Sequence, residues 1–134
     1  KNLIVMGRSL GSCSAWEICD KRKDFIDGCI IESGFATEEF ILDLFDLSSS
    51  KINFDLSDGF ESLKKIQKFN QPLLLIHAKE DHIVPIEQAN LTIESALSEN
   101  KKIFVVESAN HNNIIHCIRE KYFQMIRDFI DSIK

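Results

Sequence analysis

The chain has 134 residues, of which 44% are hydrophobic and 28% are charged, and its formal net charge is −5. This is the composition of one ordinary globular domain, and the negative charge argues against binding to a nucleic-acid backbone. No run of 18 apolar residues occurs in the sequence, so no transmembrane helix is predicted.

Strand and helix patterns alternate along the chain, which predicts an α/β fold with a parallel sheet and helices on both faces. In chain order, the predicted elements are a strand at 2–6, a helix at 10–22, a strand at 28–32, a short helix ending at 64–69, a strand at 72–77, a helix at 86–97, a strand at 101–107 and a helix at 113–133. No internal repeat or low-complexity tract interrupts this alternation.

The first strand runs directly into Gly7-Arg8-Ser9-Leu10-Gly11. A strand that ends in G-x-S-x-G and is followed by a helix is typical of a nucleophile elbow, which lifts a serine hydroxyl above the end of a sheet. We expect Ser9 to adopt a strained backbone conformation. We also expect Gly7 and Gly11 to be needed because a Cβ atom at either position would clash where strand and helix cross.

An acid and a histidine follow in the order used by this class of site. Asp81 lies in the polar loop after the third predicted strand, and His111 lies in the loop after the fourth, 72 and 102 residues beyond Ser9. Because parallel strands end at the same edge of a sheet, the three side chains are predicted to converge there. Glu32 also ends a strand and is an alternative acid. Sequence position does not exclude it, because a triad is recognised by its geometry.

These motifs, G-R-S-L-G, P-L-L-L-I-H-A-K-E-D-H-I-V-P and E-S-A-N-H-N, resemble those of alpha/beta-hydrolase-fold serine hydrolases. The similarity is to the C-terminal half of the lipase, thioesterase and serine-aminopeptidase-like branches. The resemblance implies that Ser9 is the nucleophile, Asp81 the orienting acid and His111 the general base, with the Leu10 N–H as one oxyanion donor. It implies no metal and no organic cofactor.

The longer connection from Gly34 to Phe60 is rich in apolar residues and is divided by a run of serines at 48–50. In the resembled families this connection often carries a cap over the acyl pocket. Phe35, Phe40 and Phe54 are therefore candidates for the pocket wall. The alternative is that they only pack the insertion onto the body of the domain.

The remaining histidines and the cysteines have structural interpretations. His77 ends a strand and is predicted to be a hydrogen-bonded structural residue. His82 is predicted to face solvent in its loop, with a position lining the cleft as the alternative, and His116 is predicted to pack or to lie at the surface. The cysteines lack zinc-ligand spacing, which favours free thiols in a cytoplasmic protein over a metal site or a disulfide framework. They are Cys13, Cys19, Cys29 and Cys117.

The resemblance predicts a serine hydrolase that cleaves carboxylic esters or thioesters of a small-molecule or acyl substrate through an acyl-enzyme intermediate. A serine peptidase of the same fold and a non-catalytic hydrolase-fold fragment that acts through protein contact are the alternatives. We expect residues 1–134 to be the C-terminal part of the domain, with the N-terminal half and the second oxyanion donor outside them. On this expectation the 134 residues alone are weakly active or inactive and prone to aggregate; the sequence does not indicate an oligomeric state.

Overall fold

The computed structural model describes residues 1–47, Asp55, Ser57 and residues 59–133. Four parallel strands form one sheet in the order β1-β2-β3-β4, which is also their order along the chain. The strands are β1 (Ile4–Arg8), β2 (Gly28–Glu32), β3 (Leu73–Ala78) and β4 (Lys101–Val106). Since all four point the same way, the loops that follow them share one edge of the sheet.

Helices connect the strands and cover both faces of the sheet. They are α1 (Gly11–Lys21), α2 (Glu39–Leu44), α3 (Ser62–Ile66), α4 (Ile86–Ser95), α5 (Ile114–Ile118) and α6 (Glu120–Ser132), with a 3₁₀ turn at Lys23–Phe25. Among the described residues, no helix combines the length and the apolar character that a bilayer crossing requires.

The buried side chains of the central strands alternate between two core clusters, one on each face of the sheet. On β3, Leu73 and Leu75 pack with α1, α3 and α4, whereas Leu74 and Ile76 pack with α5 and α6. Every residue of β2 and β3 is buried, which is the pattern of strands covered on both faces. The predicted α/β architecture is confirmed.

The element boundaries agree with the sequence predictions to within about two residues except at two helices. Helix α3 ends at Ile66 and not at residue 69. The predicted final helix at 113–133 is wrong as a single element, because Arg119 adopts φ 41° and ψ −114° and separates α5 from α6. A positive φ in a residue with a long side chain is incompatible with a continuous right-handed helix.

Candidate active site

Three polar side chains meet at the carboxyl edge of the sheet. Ser9 directly follows β1, Asp81 lies in the loop after β3, and His111 lies in the loop after β4. Ser9 Oγ lies 3.0 Å from His111 Nε2, and His111 Nδ1 lies 2.8 Å from Asp81 Oδ2. The structure therefore brings together the three residues that the sequence placed at strand ends.

The turn at Ser9 has the predicted strained backbone. Ser9 has φ 51°, in the left-handed region that residues other than glycine rarely adopt. Its N–H donates to the Glu32 carbonyl oxygen at 2.9 Å, and its own carbonyl accepts from the Ser12 N–H at 2.9 Å. These bonds on both sides hold the strained residue in place, which fixes the direction of its hydroxyl.

The two glycines of the motif have different surroundings. A Cβ on Gly7 would lie 2.7 Å from both the Ala15 Cβ and the Gly11 carbonyl oxygen, so a side chain there would clash as predicted. A Cβ on Gly11 would meet nothing within 4 Å among the described residues. The expected clash at Gly11 is wrong, because a Cβ there would point into open space.

The Asp81 carboxylate accepts hydrogen bonds both from its own loop and from His111. Its Oδ1 accepts the N–H groups of Ile83 at 2.9 Å and Val84 at 2.8 Å, which leaves Oδ2 for the His111 ring. The Asp81 side chain is fully buried and that of His111 is nearly so. An ionised carboxylate can only accept hydrogen bonds, so Nδ1 carries the proton and Nε2 is free to accept the Ser9 hydroxyl.

A second histidine lies beside the acid without competing for it. His77 Nε2 lies 2.9 Å from the Val84 carbonyl oxygen and 3.6 Å from Asp81 Oδ2. Burial lowers the pKa of His77, with the Val84 carbonyl acting in the opposite direction, so its ring is neutral at neutral pH and its Nε2–H donates to Val84. The prediction of a hydrogen-bonded structural histidine is confirmed at His77.

The backbone beside Ser9 offers one donor toward the same edge. Leu10 is the N-cap residue of α1, and no hydrogen bond of its N–H occurs within the described part of the chain. The amino end of a helix carries a partial positive charge and free N–H groups, which suits a developing negative charge. The role of the Leu10 N–H as an oxyanion donor stays a prediction.

Glu32 is at the end of β2, but its carboxylate turns to other partners. Its Oε1 accepts from Arg8 Nε at 2.9 Å, and its Oε2 accepts from the Tyr122 hydroxyl. The pKa of Tyr122 is raised, mainly by burial and to a smaller extent by the Glu32 carboxylate, so the hydroxyl stays protonated. The imidazole of His111 has Asp81 as its acid, so the structure favours Asp81 over Glu32.

The predicted pocket wall is only partly within the described residues. Phe35 is 2% exposed and packs edge-to-face on Phe40, with a centroid separation of 5.2 Å, in a cluster with Cys13 and Val84. Phe54 lies outside the described residues, as do the serines at 48–50. The cluster adjoins the loops of Ser9 and Asp81, since Cys13 and Val84 follow these residues closely in the chain.

The other histidines and the thiols stand apart from this geometry. His82 and His116 are exposed. All four cysteines are free; burial raises the pKa of Cys13, and a hydrogen bond with Cys19 together with burial raises that of Cys29. No group of three or more potential metal ligands occurs within the described ranges.

Two relatives align with almost the whole chain. An uncharacterised membrane protein of Saccharomyces cerevisiae is 30% identical over 97% of this chain. Protein bem46 of Schizosaccharomyces pombe is 29% identical over 96% of it. The chain spans 46% and 43% of the lengths of these two proteins. A comparison with protein-family models finds no match.

Solved structures decide the fold. A monoacylglycerol lipase of Paleococcus ferrophilus superposes on the whole chain with a TM-score of 0.76 at 18% identity, over 70% of its own length. An acylaminoacyl peptidase of Pyrococcus horikoshii superposes on 98% of the chain with a TM-score of 0.79 at 19% identity, over 24% of its own length. This chain is an alpha/beta-hydrolase-fold protein.

Sequence reasoning missed two residues of this alpha/beta-hydrolase-fold site. Arg8 occupies a variable position of G-x-S-x-G, and its Nη2 donates to the His111 carbonyl oxygen at 2.6 Å. Tyr122 lies on α6 and reaches Glu32 across 90 residues of sequence. No local pattern predicts either contact, because both depend on how the last loop and helix fold back over the sheet edge.

Proposed function

We propose that this protein is a serine hydrolase that cleaves carboxylic esters or thioesters through an acyl-enzyme intermediate. The observation that carries the proposal is the continuous hydrogen-bonded series from Ser9 Oγ through the His111 ring to the buried Asp81 carboxylate. A serine hydroxyl is a weak nucleophile until a base accepts its proton, and this series supplies the base in the required tautomer.

In the first half of the reaction, Ser9 Oγ attacks the substrate carbonyl carbon while its proton passes to His111 Nε2. The resulting imidazolium donates through Nδ1 to Asp81, whose negative charge stabilises it. His111 then gives the proton to the departing alcohol or thiol, and the acyl group remains on Ser9.

In the second half, water takes the place of the leaving group. His111 Nε2 accepts a proton from that water as its oxygen attacks the acyl carbon, and the proton then returns to Ser9 Oγ as the acid product departs. The Leu10 N–H is the proposed donor to the oxyanion in both halves. Removal of one such donor typically costs about 10²- to 10³-fold in rate.

The preference for an apolar acyl group is supported by the side chains around the site. Phe35 and Phe40 form a packed aromatic pair beside the loops of Ser9 and Asp81. Such a surface favours hydrocarbon over charged substituents. Because a lipase and a peptidase share this fold, the fold does not choose between ester and amide substrates.

Location and cofactor use are further parts of the proposal. The reaction as proposed uses protein side chains and backbone, with a second oxyanion donor expected outside residues 1–134, and needs no metal or organic cofactor. The cytoplasmic location remains a prediction from the free thiols, and one relative is described as a membrane protein.

The test is covalent labelling of the protein expressed from its complete gene. We expect a fluorophosphonate to form one adduct, mapped by mass spectrometry to Ser9, and Ser9→Ala to abolish it. Ser14→Ala, an exposed serine on α1, is the matched control and should label as the wild type does. Labelling that survives Ser9→Ala, or a wild-type protein that does not label, would overturn the proposal.

Turnover then separates the substrate classes. We expect the unlabelled protein from the same preparation to hydrolyse a p-nitrophenyl octanoate ester and an octanoyl thioester faster than a peptidyl p-nitroanilide. Faster cleavage of the anilide would establish the peptidase alternative, and labelling without turnover of any of these would contradict the ester or thioester assignment.

A further inference from the structure

A buried carboxylate that the proposed reaction does not use lies next to the site. Glu32 is 2% exposed, and its two oxygens accept hydrogen bonds from Arg8 Nε and from the Tyr122 hydroxyl. A buried carboxylate is tolerated only when it is paired in this way. The arrangement joins the ends of β1 and β2 to the first turn of α6.

Arg8 extends this network to the catalytic histidine loop. While its Nε donates to Glu32 at 2.9 Å, its Nη2 donates to the carbonyl oxygen of His111 at 2.6 Å. A guanidinium group is planar and presents donors in a fixed fork, so one side chain holds both acceptors at a set spacing. The bond is to the backbone of His111, and the ring remains free for Ser9 and Asp81.

Glu32 also fixes the backbone of Ser9. The Glu32 carbonyl oxygen accepts the Ser9 N–H at 2.9 Å. Glu32 thus holds Ser9 directly through its backbone and holds His111 through the Arg8 side chain. These two attachments fix the backbones of Ser9 and His111, and so help to determine the separation of 3.0 Å between Ser9 Oγ and His111 Nε2.

We propose that Arg8, anchored by Glu32 and Tyr122, is a positioning residue that holds the His111 backbone at proton-transfer distance from Ser9. The inference rests on the proposed serine-hydrolase function and adds to it a residue that acts through His111. Within the described residues, the hydrogen bonds of the Arg8 side chain go to Glu32 and to the His111 carbonyl oxygen, and none goes to the Ser9 hydroxyl or the imidazole. Its contribution is to geometry, and misplacement of a reacting group by about 1 Å can cost 10²-fold in rate.

A role in stability alone makes a different prediction. The Arg8 side chain is 46% exposed but that of Glu32 is only 3% exposed, so removal of Arg8 leaves a buried carboxylate with fewer partners and is expected to lower stability. If the pair were purely structural, its removal would lower stability and leave the turnover of the folded protein unchanged. A positioning pair would lower kcat and leave KM nearly unchanged, because on this proposal Arg8 acts through His111 and not on the substrate.

The first experiment compares Arg8→Met and Arg8→Lys in the protein expressed from its complete gene, with kcat and KM measured separately on p-nitrophenyl octanoate. We expect Arg8→Met to lower kcat by about 10- to 100-fold with KM unchanged. Arg8→Lys should recover part of the loss, since a single ammonium can hold one of the two acceptors. Arg22→Met removes an exposed arginine without a side-chain hydrogen bond in the described part of the chain and should match the wild type.

Tyr122→Phe tests the anchor while it keeps the aromatic ring. We expect a smaller fall in kcat, with KM again unchanged. The double variant Arg8→Met/Tyr122→Phe should be no slower than Arg8→Met, because groups in one network are not additive. Thermal unfolding of each variant checks that it is folded. Titration of a separate sample with the fluorophosphonate gives the concentration of competent sites, to which each kcat is normalised.

The outcomes separate this inference from the function on which it rests. A wild type that neither labels nor turns over substrate overturns the proposed function and this inference together. A wild type that is active, with an unchanged kcat in folded Arg8→Met or with effects of Arg8 and Tyr122 that multiply, overturns only the positioning role. If Arg8→Met does not fold, the kcat of Arg8→Lys and of Tyr122→Phe decides between the same two results.

Discussion

At the residue scale, Asp81 shows how one side chain can close a loop and orient a base. Its Oδ1 accepts two backbone N–H groups from Ile83 and Val84, and its Oδ2 accepts from His111 Nδ1. The two bonds to Oδ1 fix the orientation of the carboxylate, so that Oδ2 is directed at His111. The histidine is therefore held by a group that is itself held by the backbone.

We expect Asp81→Asn to lower turnover on the order of 10⁴-fold while the fold is retained. The amide oxygen can take the place of Oδ1 toward the two backbone N–H groups, so the amide nitrogen faces His111. That nitrogen donates, which forces Nδ1 to accept and moves the ring proton to Nε2. A ring with its proton on Nε2 cannot accept the Ser9 proton, and steady-state kinetics on an ester substrate measures the loss.

Glu80→Gln is the matched control for this prediction. Glu80 precedes Asp81, is exposed, and its replacement changes charge by the same amount. We expect its turnover to equal that of the wild type. Equal activity in Asp81→Asn and the wild type would show that another group orients His111.

The sequence predicts some of these residues and not others for a physical reason. Ser9, Asp81 and His111 each follow a strand in a parallel sheet, so their convergence depends only on the direction of the strands. The bond from Arg8 to the His111 carbonyl spans 103 residues and depends on the path of a loop. Residue types alone contain no signal for such a contact.

At the element scale, the crossing of β1 and α1 sets the elbow. Gly7 is the one residue of β1 that is fully buried, and a Cβ on it would meet Ala15 and the Gly11 carbonyl oxygen at 2.7 Å. Both contacts involve backbone or the first side-chain atom of helix α1, and neither atom can move without the helix. The helix would have to shift as a unit to admit a methyl group.

Gly7→Ala is therefore expected to lower the free energy of unfolding by about 1 to 3 kcal/mol, the usual cost of overpacking. Gly11→Ala introduces the same methyl group into open space at the start of α1. It should be neutral or stabilising by at most about 1 kcal/mol, because alanine has the higher helix propensity. Chemical denaturation of both variants measures the difference, and equal effects would contradict the close strand–helix approach at Gly7.

The break between α5 and α6 is the element that the sequence did not predict. Apolar residues continue at helical spacing across it, and arginine is a good helix former, so Arg119 has none of the usual stop signals. Tertiary packing decides instead, since Ile114 of α5 and Tyr122 of α6 are both buried in the cluster on the same face of the sheet. The new helix starts where Tyr122 can reach Glu32.

At the scale of the whole molecule, β1 is an edge strand of the sheet that the described residues form, and apolar side chains lie along it. In the described residues β1 pairs with β2 alone, and Leu3, Met6 and Leu10 are 54%, 47% and 60% exposed along or beside it. An edge strand with free backbone groups and apolar side chains recruits other chains.

We expect the 134 residues, expressed alone, to self-associate through β1, and Met6→Lys to raise the monomer fraction. A lysine on an edge strand opposes pairing with a second chain, because it places charge where an apolar contact would form. Size-exclusion chromatography with light scattering at one fixed protein concentration measures the monomer fraction of both proteins.

Leu97→Lys provides the matched control. Leu97 is 64% exposed and lies between α4 and β4, at the opposite side of the sheet from β1. It gains the same charge at a similarly exposed apolar position, so a general gain in solubility would affect both variants alike. An increase in monomer confined to Met6→Lys would locate the association at β1, whereas equal increases, or a wild-type chain that is already monomeric, would contradict the role of this edge.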